Sequence, residues 1–253
     1  MKNLIPRTLL LLSIAIIISS GKVLCQNPLK LYAELDTNSM PNTLAKKERK
    51  NGWKLLFNGK TTDGWHGYNL NISPECWAVE NGTMTAKSTG GAEDLDIVTN
   101  KSYKNFAFAI DYKLTKQTNS GIIFQVAEDS KYKYPYETGP EYQIIDQENW
   151  PDPLENWQTS GANYAMYPPM NKPYKPIGEW NHVFIVVDGN KVTQMLNGVV
   201  VVEYIKNSDE WKKLRNSGKW ADFPDWGIYD QGHISLQNHG SKIWFRNIKI
   251  KEL

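Results

Sequence analysis

Cysteine is nearly absent from this chain: its 253 residues contain two, Cys25 and Cys76. A disulfide framework is thereby excluded, so the fold must be held by packing. Histidine is scarce as well, with four in all, and no spacing of His, Cys and acidic residues matches a zinc motif. No glycine-rich phosphate loop and no nucleophile elbow occur. Blocks of like charge are missing too. Twenty-nine basic residues against 27 acidic ones leave a net charge of +2, which argues against nucleic acid or an anionic membrane as a partner.

Long apolar runs are confined to one place, residues 9–18, and that run is too short to span a bilayer as a helix. Lys2 and Arg7 precede it, the pattern of a secretory signal covering residues 1–25, with Gln26 as the new N-terminus. Export to the periplasm or beyond is the expectation. Lipid anchoring through Cys25 is less favoured, because Val23 and Leu24 are not the small residues such a site needs. No second membrane span follows. Removal of residues 1–25 leaves Cys76 as the single cysteine, flanked by Glu75 and Trp77, which supply no base; it reads as a buried thiol.

What the chain does have is aromatic surface: ten Trp and thirteen Tyr. Each such ring joins an apolar face to a polar edge, which suits sandwich cores and sugar-binding surfaces alike. Residues 26–50 read as a tether or outer strand followed by a short helix, capped by Thr43 and ended by Gly52. From Trp53 onward the period is two. Segments 53–57, 77–80 and 83–86 read as strands, with Asn58-Gly59 and Asn81-Gly82 as hairpin turns. The alternation is cleanest where Phe106, Phe108, Ile110, Tyr112 and Leu114 share one face. Strands are also expected at 121–126, 141–145, 180–187, 191–196, 199–203, 232–237 and 243–250, with Asn197-Gly198 as a further tight turn. Many short strands without an internal repeat predict one all-β domain over residues 51–253, a two-sheet antiparallel jelly roll. Three long loops, 131–140, 150–178 and 207–227, are dense in aromatics, and loops of that length usually serve function.

Six motifs in order then carry a resemblance. Gly52-Trp53-Lys54-Leu55-Leu56-Phe57-Asn58-Gly59-Lys60 with Asp63-Gly64-Trp65 comes first, then Asn119-Ser120-Gly121-Ile122, then Glu141-Tyr142-Gln143-Ile144-Ile145-Asp146. Gly178-Glu179-Trp180-Asn181, Asn197-Gly198, and Leu236-Gln237-Asn238-His239-Gly240 with Trp244-Phe245-Arg246-Asn247-Ile248 complete the series. Together they resemble the 3-keto-disaccharide hydrolase family over nearly all of residues 52–253. The resemblance implies a concanavalin A-like jelly roll, an oligosaccharide or keto-sugar as substrate, and a site on one sheet. At Asn238 the chain departs from the family, which usually has Asp there.

A ketone at C3 of a sugar acidifies the proton on C2, so a base can remove it and expel the C1 substituent; water then adds back, or does not, giving hydrolase or lyase. That chemistry needs a base, an acid and a group to hold the enolate oxygen. His239, at a strand end beside Gly240, and Glu141 are the candidates for proton transfer, with acid and base not assigned between them. Arg246 is the candidate for the developing negative charge, or the partner of an ion pair, since it shares parity with Ile248 and Ile250. Asn119, Gln143 and Gln237 offer amides to sugar hydroxyls, and Asp146 is a further substrate-binding candidate. A conventional glycosidase pair of Glu141 and Asp146 is disfavoured, because alternation sets them on opposite faces of one strand. His66 is expected exposed in a turn, His182 satisfied locally, and His233 beside the site at most. No cofactor is required; Ca²⁺ or another oxygen-bound divalent cation near Glu141 or Asp146 is left open, as is the oligomeric state. Two other functions stay in view: a non-catalytic lectin-like carbohydrate-binding module and a conventional glycoside hydrolase.

Overall fold

The computed structural model describes residues 25–87 and 95–253; most of the expected signal segment lies outside them. Three helices and thirteen strands are named here in chain order: α1 Pro28–Tyr32, α2 Lys46–Lys50, β1 Lys54–Leu55, β2 Trp65–Gly67, β3 Trp77–Glu80, β4 Thr83–Ala86, β5 Ile97–Thr99, β6 Phe106–Leu114, β7 Asn119–Val126, β8 Glu141–Ile145, β9 Asn181–Asp188, β10 Lys191–Leu196, β11 Val199–Ile205, α3 Asp209–Arg215, β12 His233–Leu236 and β13 Ile243–Glu252. Every pairing is antiparallel. One sheet runs β11-β10-β9-β6-β13-β4-β3, with β1 also on β13; the other runs β2-β5-β12-β7-β8. The jelly-roll expectation holds. No helix among the described residues is long and apolar enough to cross a membrane.

The core lies between the sheets, where Phe106, Phe108, Ile110, Tyr112 and Leu114 of β6 meet Ile122, Phe124, Tyr142, Ile144, Ile234 and Leu236. Strand alternation decides this: each large apolar residue of β6 points inward, and the small Ala107 and Ala109 between them point out. Even that outer face is covered. Leu31, Tyr32, Leu35 and Leu44 pack with Trp53 on Ala107, Ala109, Phe184 and Val186, so residues 26–50 are a packed cover rather than a tether. The cover is pinned by Glu48 and Lys249, 2.7 Å apart and both buried. Glu48 also accepts the backbone N–H groups of Asp36 and Ala45. Ala45 therefore caps α2, and Thr43, the expected cap, donates its hydroxyl to the Met40 carbonyl instead.

Two of the Asn-Gly hairpins form as expected: Asn81 and Gly82 at φ 49 and 74, Asn197 and Gly198 at φ 48 and 83, both central residues left-handed as a type I′ turn demands. The 53–57 segment behaves differently. Its β1 pairs with β13, and Asn58 uses its side chain to accept the N–H groups of Lys60 and Thr61. Strands β2 and β5, α1 and α3 were not anticipated; all are short and draw their definition from what they pack against.

Candidate active site

The outward face of β8 presents Glu141 and Gln143, because Tyr142 and Ile144 take the core side. Register then decides their neighbours. Gln143 stands opposite Gly121 and Ile145 opposite Asn119, while the Gln237 N–H donates to the Gly121 carbonyl. Asn119, Glu141, Gln143, Gln237 and His239 consequently line one cavity of about 160 Å³ with Tyr136, Tyr164 and Lys219. Gly121 is required here: a Cβ at that position would lie 2.9 Å from the Glu141 Cδ, so the absence of a side chain is what lets the carboxyl lie over the strand.

Three loops build the walls, and they interlock. The free edge of β8 is paired by residues 161–164, through Gly161 N–H to Gln143 O, Gln143 N–H to Ala162 O and Tyr164 N–H to Glu141 O. This protects the edge and places Tyr164 beside Glu141. The 207–227 segment is anchored by stacked indoles, Trp220 on Trp226 at 4.6 Å and Trp226 on Trp211 at 5.9 Å, all buried. Trp220 Nε1 donates to the Tyr164 carbonyl and Gly227 N–H to the Thr138 carbonyl, tying this segment to both other loops. Lys219 projects from it, its ammonium 4.6 Å from the Tyr164 ring, 4.7 Å from Trp220 and 5.0 Å from Tyr136.

Glu141 is buried, and its carboxyl accepts no hydrogen bond among the described residues. Burial pushes its pKa up to about 8, outweighing the Lys219 ammonium, which pulls it down, with the carboxylate of Asp96 adding to the rise. Lys219 responds in kind: desolvation lowers its pKa, and Glu141 opposes that. Gln143 Oε1 and Gln237 Oε1 are likewise buried without a partner among the described residues, and Gln143 Nε2 reaches Asn119 Oδ1 only at 3.5 Å. Buried polar atoms without a partner are costly, and these two amide oxygens remain free to accept a hydrogen bond.

A second, wider cavity of about 840 Å³ adjoins the first through Tyr136, Gln237 and His239, which line both. It is bounded by Asp96, Lys133, Tyr134 and Asn238, among others. Asp96 Oδ1 accepts the Asn238 N–H at 2.9 Å, and burial raises its pKa to about 7. The Asn238 side chain is spent on the turn, its Oδ1 accepting the Gly240 N–H. A carboxyl thus stands beside this turn even though residue 238 is an amide.

Two sequence expectations are corrected. Arg246 does not reach this pocket. A bulge between Arg246 and Lys249, with Asn247 at φ 54, switches the parity of β13, so Phe245 and Ile248 both face the core and Arg246 faces out. There its Nε donates to Asp111 at 3.2 Å, beside His182 Nδ1 at 2.6 Å from the same carboxylate, and its guanidinium stacks 3.9 Å from the Trp180 ring. Asp146 is also elsewhere: past the end of β8, it accepts the Gln117 N–H and the Asn149 side-chain amide, fixing a loop. The cation expected at Arg246 is supplied at the pocket by Lys219. Lys219 and Asp96 lie in stretches without strand periodicity, and sequence spacing gave no signal for either.

The remaining histidines divide. His66 is in β2, half-buried between Asn100 Oδ1 and Glu128 Oε2 rather than exposed. His233 bonds the Thr99 carbonyl, and neither His66, His182 nor His233 lines the Glu141 cavity. Among the described residues no group of three His, Cys, Asp or Glu side chains is placed to hold a metal ion. Cys76 is buried, as expected.

Comparison with known proteins bears on the same residues. The family model described as a 3-keto-alpha-glucoside-1,2-lyase-like domain matches residues 52–251. A 3-keto-disaccharide hydrolase of Bacteroides thetaiotaomicron is 32% identical over 248 residues, covering 87% of this chain and 83% of its own length. A crystal structure of a candidate glycosyl hydrolase from Parabacteroides distasonis superposes with a TM-score of 0.80 at 43% identity, over 85% of this chain and 100% of that one. A second one from the same organism gives 0.59 at 29% identity, over 80% and 100%.

Proposed function

The chain belongs to the 3-keto-alpha-glucoside-1,2-lyase-like domain family, and from that premise we propose that its pocket cleaves the glycosidic bond of 3-keto-glycosides by removing the C2 proton. The similar Bacteroides protein is named for hydrolysis of 3-keto-disaccharides, which supports the same substrate class here. The observation that carries the reading is Glu141: a buried carboxyl with no hydrogen bond among the described residues, facing a cavity it shares with an ammonium. A buried carboxyl beside an ammonium in one cavity is suited to take a proton from carbon.

With the keto oxygen held at Lys219, the neighbouring C2–H falls to Glu141. Its carboxylate takes the proton, the C–H electrons form the C1=C2 bond of an enolate-derived product, and the C1–O bond breaks with its pair on oxygen. His239, exposed at the junction of the two cavities, gives that oxygen its proton. Water adding across C1=C2 completes hydrolysis; release before addition makes the protein a lyase. Asn119, Gln143 and Gln237 bind ring hydroxyls, the two glutamines through amide oxygens that have no partner among the described residues.

A chromogenic 3-keto-glucoside assayed beside its unoxidised parent tests the reading. Release from the oxidised compound only supports it; release from the parent supports a conventional glycosidase, and binding without release supports a lectin-like module. Export belongs to the same proposal, motivated by Lys2, Arg7 and the apolar run that follows. A mature chain beginning at Gln26 in the periplasm or medium is the expected finding, and a cytoplasmic chain retaining Met1 or Lys2 contradicts it.

A further inference from the structure

We propose that the cleft binds its substrate in one direction, with the keto-sugar ring in the Glu141 cavity, the scissile bond at His239, and a departing second sugar in the wider cavity between Asp96 and the Tyr134–Tyr136 pair. This deepens the reading above and rests on it.

Position dictates the direction. Glu141 and Lys219 line only the smaller cavity, so the C2–C3 unit on which they act must sit there. C1 is bonded to C2, and its substituent therefore leaves through the side where the two cavities meet. Tyr136, Gln237 and His239 line both cavities and mark that boundary. The space beyond is too large for a hydroxyl or methyl group to fill.

The chemistry of the wider cavity suits a sugar. Tyr134 stacks on Tyr136 at 5.1 Å and 14°, yet remains 41% exposed, offering apolar aromatic surface to the C–H groups of a pyranose. Tyr136 is thus shared: its neighbour Tyr134 serves one sugar while Tyr136 itself helps hold the Lys219 ammonium that serves the other. Asp96 lines the same cavity, with Oδ1 engaged by the Asn238 N–H and Oδ2 without a hydrogen bond among the described residues, an acceptor for a sugar hydroxyl. Lys133 adds donors at the rim. An apolar platform facing a few polar groups is the usual composition of a ligand site.

Two substrates and two variants test this on the full chain: methyl 3-keto-glucoside and a 3-keto-disaccharide, with Tyr134→Ala and Asp96→Asn. Tyr134 is exposed, and Asn at 96 keeps an oxygen for the Asn238 N–H, so both variants are expected to fold. Each is expected to lower the ratio of kcat/KM for the disaccharide over the methyl compound by about tenfold or more, the loss of one charged hydrogen bond or ring contact. The free second sugar is expected to inhibit the wild-type chain competitively and each variant more weakly. An unchanged ratio in both variants overturns the assignment of the wider cavity while leaving proton abstraction standing. A wild-type chain that turns over neither substrate overturns the proton-abstraction reading, and this one with it.

Discussion

Replacing Glu141 by Gln removes a titrating group from the pocket while keeping its shape, and the effect on stability should depend on pH in a calculable way. Glu141 is 5% exposed, and its pKa is raised from 4.5 to about 8 by burial. A raised carboxyl pKa means that the folded protein holds the proton more tightly than the unfolded chain. Below about pH 4.5 the group is protonated in both states and carries no penalty; the penalty grows as pH rises and is complete above about pH 8. At about 1.4 kcal/mol per pKa unit, the full cost approaches ~5 kcal/mol, the opposing Lys219 charge included. Gln is neutral throughout, and Asp96 titrates in both proteins, so the wild-type and Glu141→Gln stabilities should diverge between pH 5 and 9. Urea melts across that range measure the divergence. The variant should gain on the wild type steadily as pH rises, by several kcal/mol at the upper end, while losing turnover entirely. A stability difference that stays constant with pH would refute the reasoning, because it would mean that the carboxylate is solvated or paired in the folded protein.

Other expectations follow from the same contacts. Wild-type kcat/KM should rise with pH toward about 8 as Glu141 ionises, and Lys219→Met should lower kcat by about 10²–10³, the usual loss of one group stabilising an oxyanion. Gly121→Ala should displace the Glu141 carboxyl and cost about 10²-fold in kcat, with far-ultraviolet circular dichroism confirming that the sheet persists. Glu48→Ala, far from the pocket, should destabilise by about 3–5 kcal/mol in chemical denaturation, because it leaves Lys249 buried without its partner.

Where the sequence was legible, side-chain alternation and turn chemistry made it so. Phe106 to Leu114 could be placed because large apolar residues alternate with small or charged ones without interruption, and Asn81-Gly82 and Asn197-Gly198 because few other pairs tolerate two left-handed residues. The same logic set Glu141 and Gln143 on one face, and Asn119, Gln237 and His239 joined them through strand pairing. Arg246 went wrong for a definite reason: parity was carried through Asn247, and a bulge there reverses it. Lys219 and Asp96 were illegible because neither belongs to a periodic segment. Lys219 is positioned by indoles brought together from a long loop, and the Asp96 carboxyl by the backbone N–H of Asn238, in a turn 142 residues away. The N-terminal cover was missed for a related reason, since Leu31, Leu35 and Leu44 are too sparse to show a period before they meet the sheet.

Cleavage by this route requires hydrogen to leave C2. A 3-keto-glycoside carrying deuterium at C2, turned over in ordinary water and sampled at early times by mass spectrometry beside an enzyme-free control, tests this directly. The predicted result is a sugar product that has lost its deuterium, at a rate set by the enzyme and abolished in Glu141→Gln. A product that keeps the label after the glycosidic bond has been cut would contradict it.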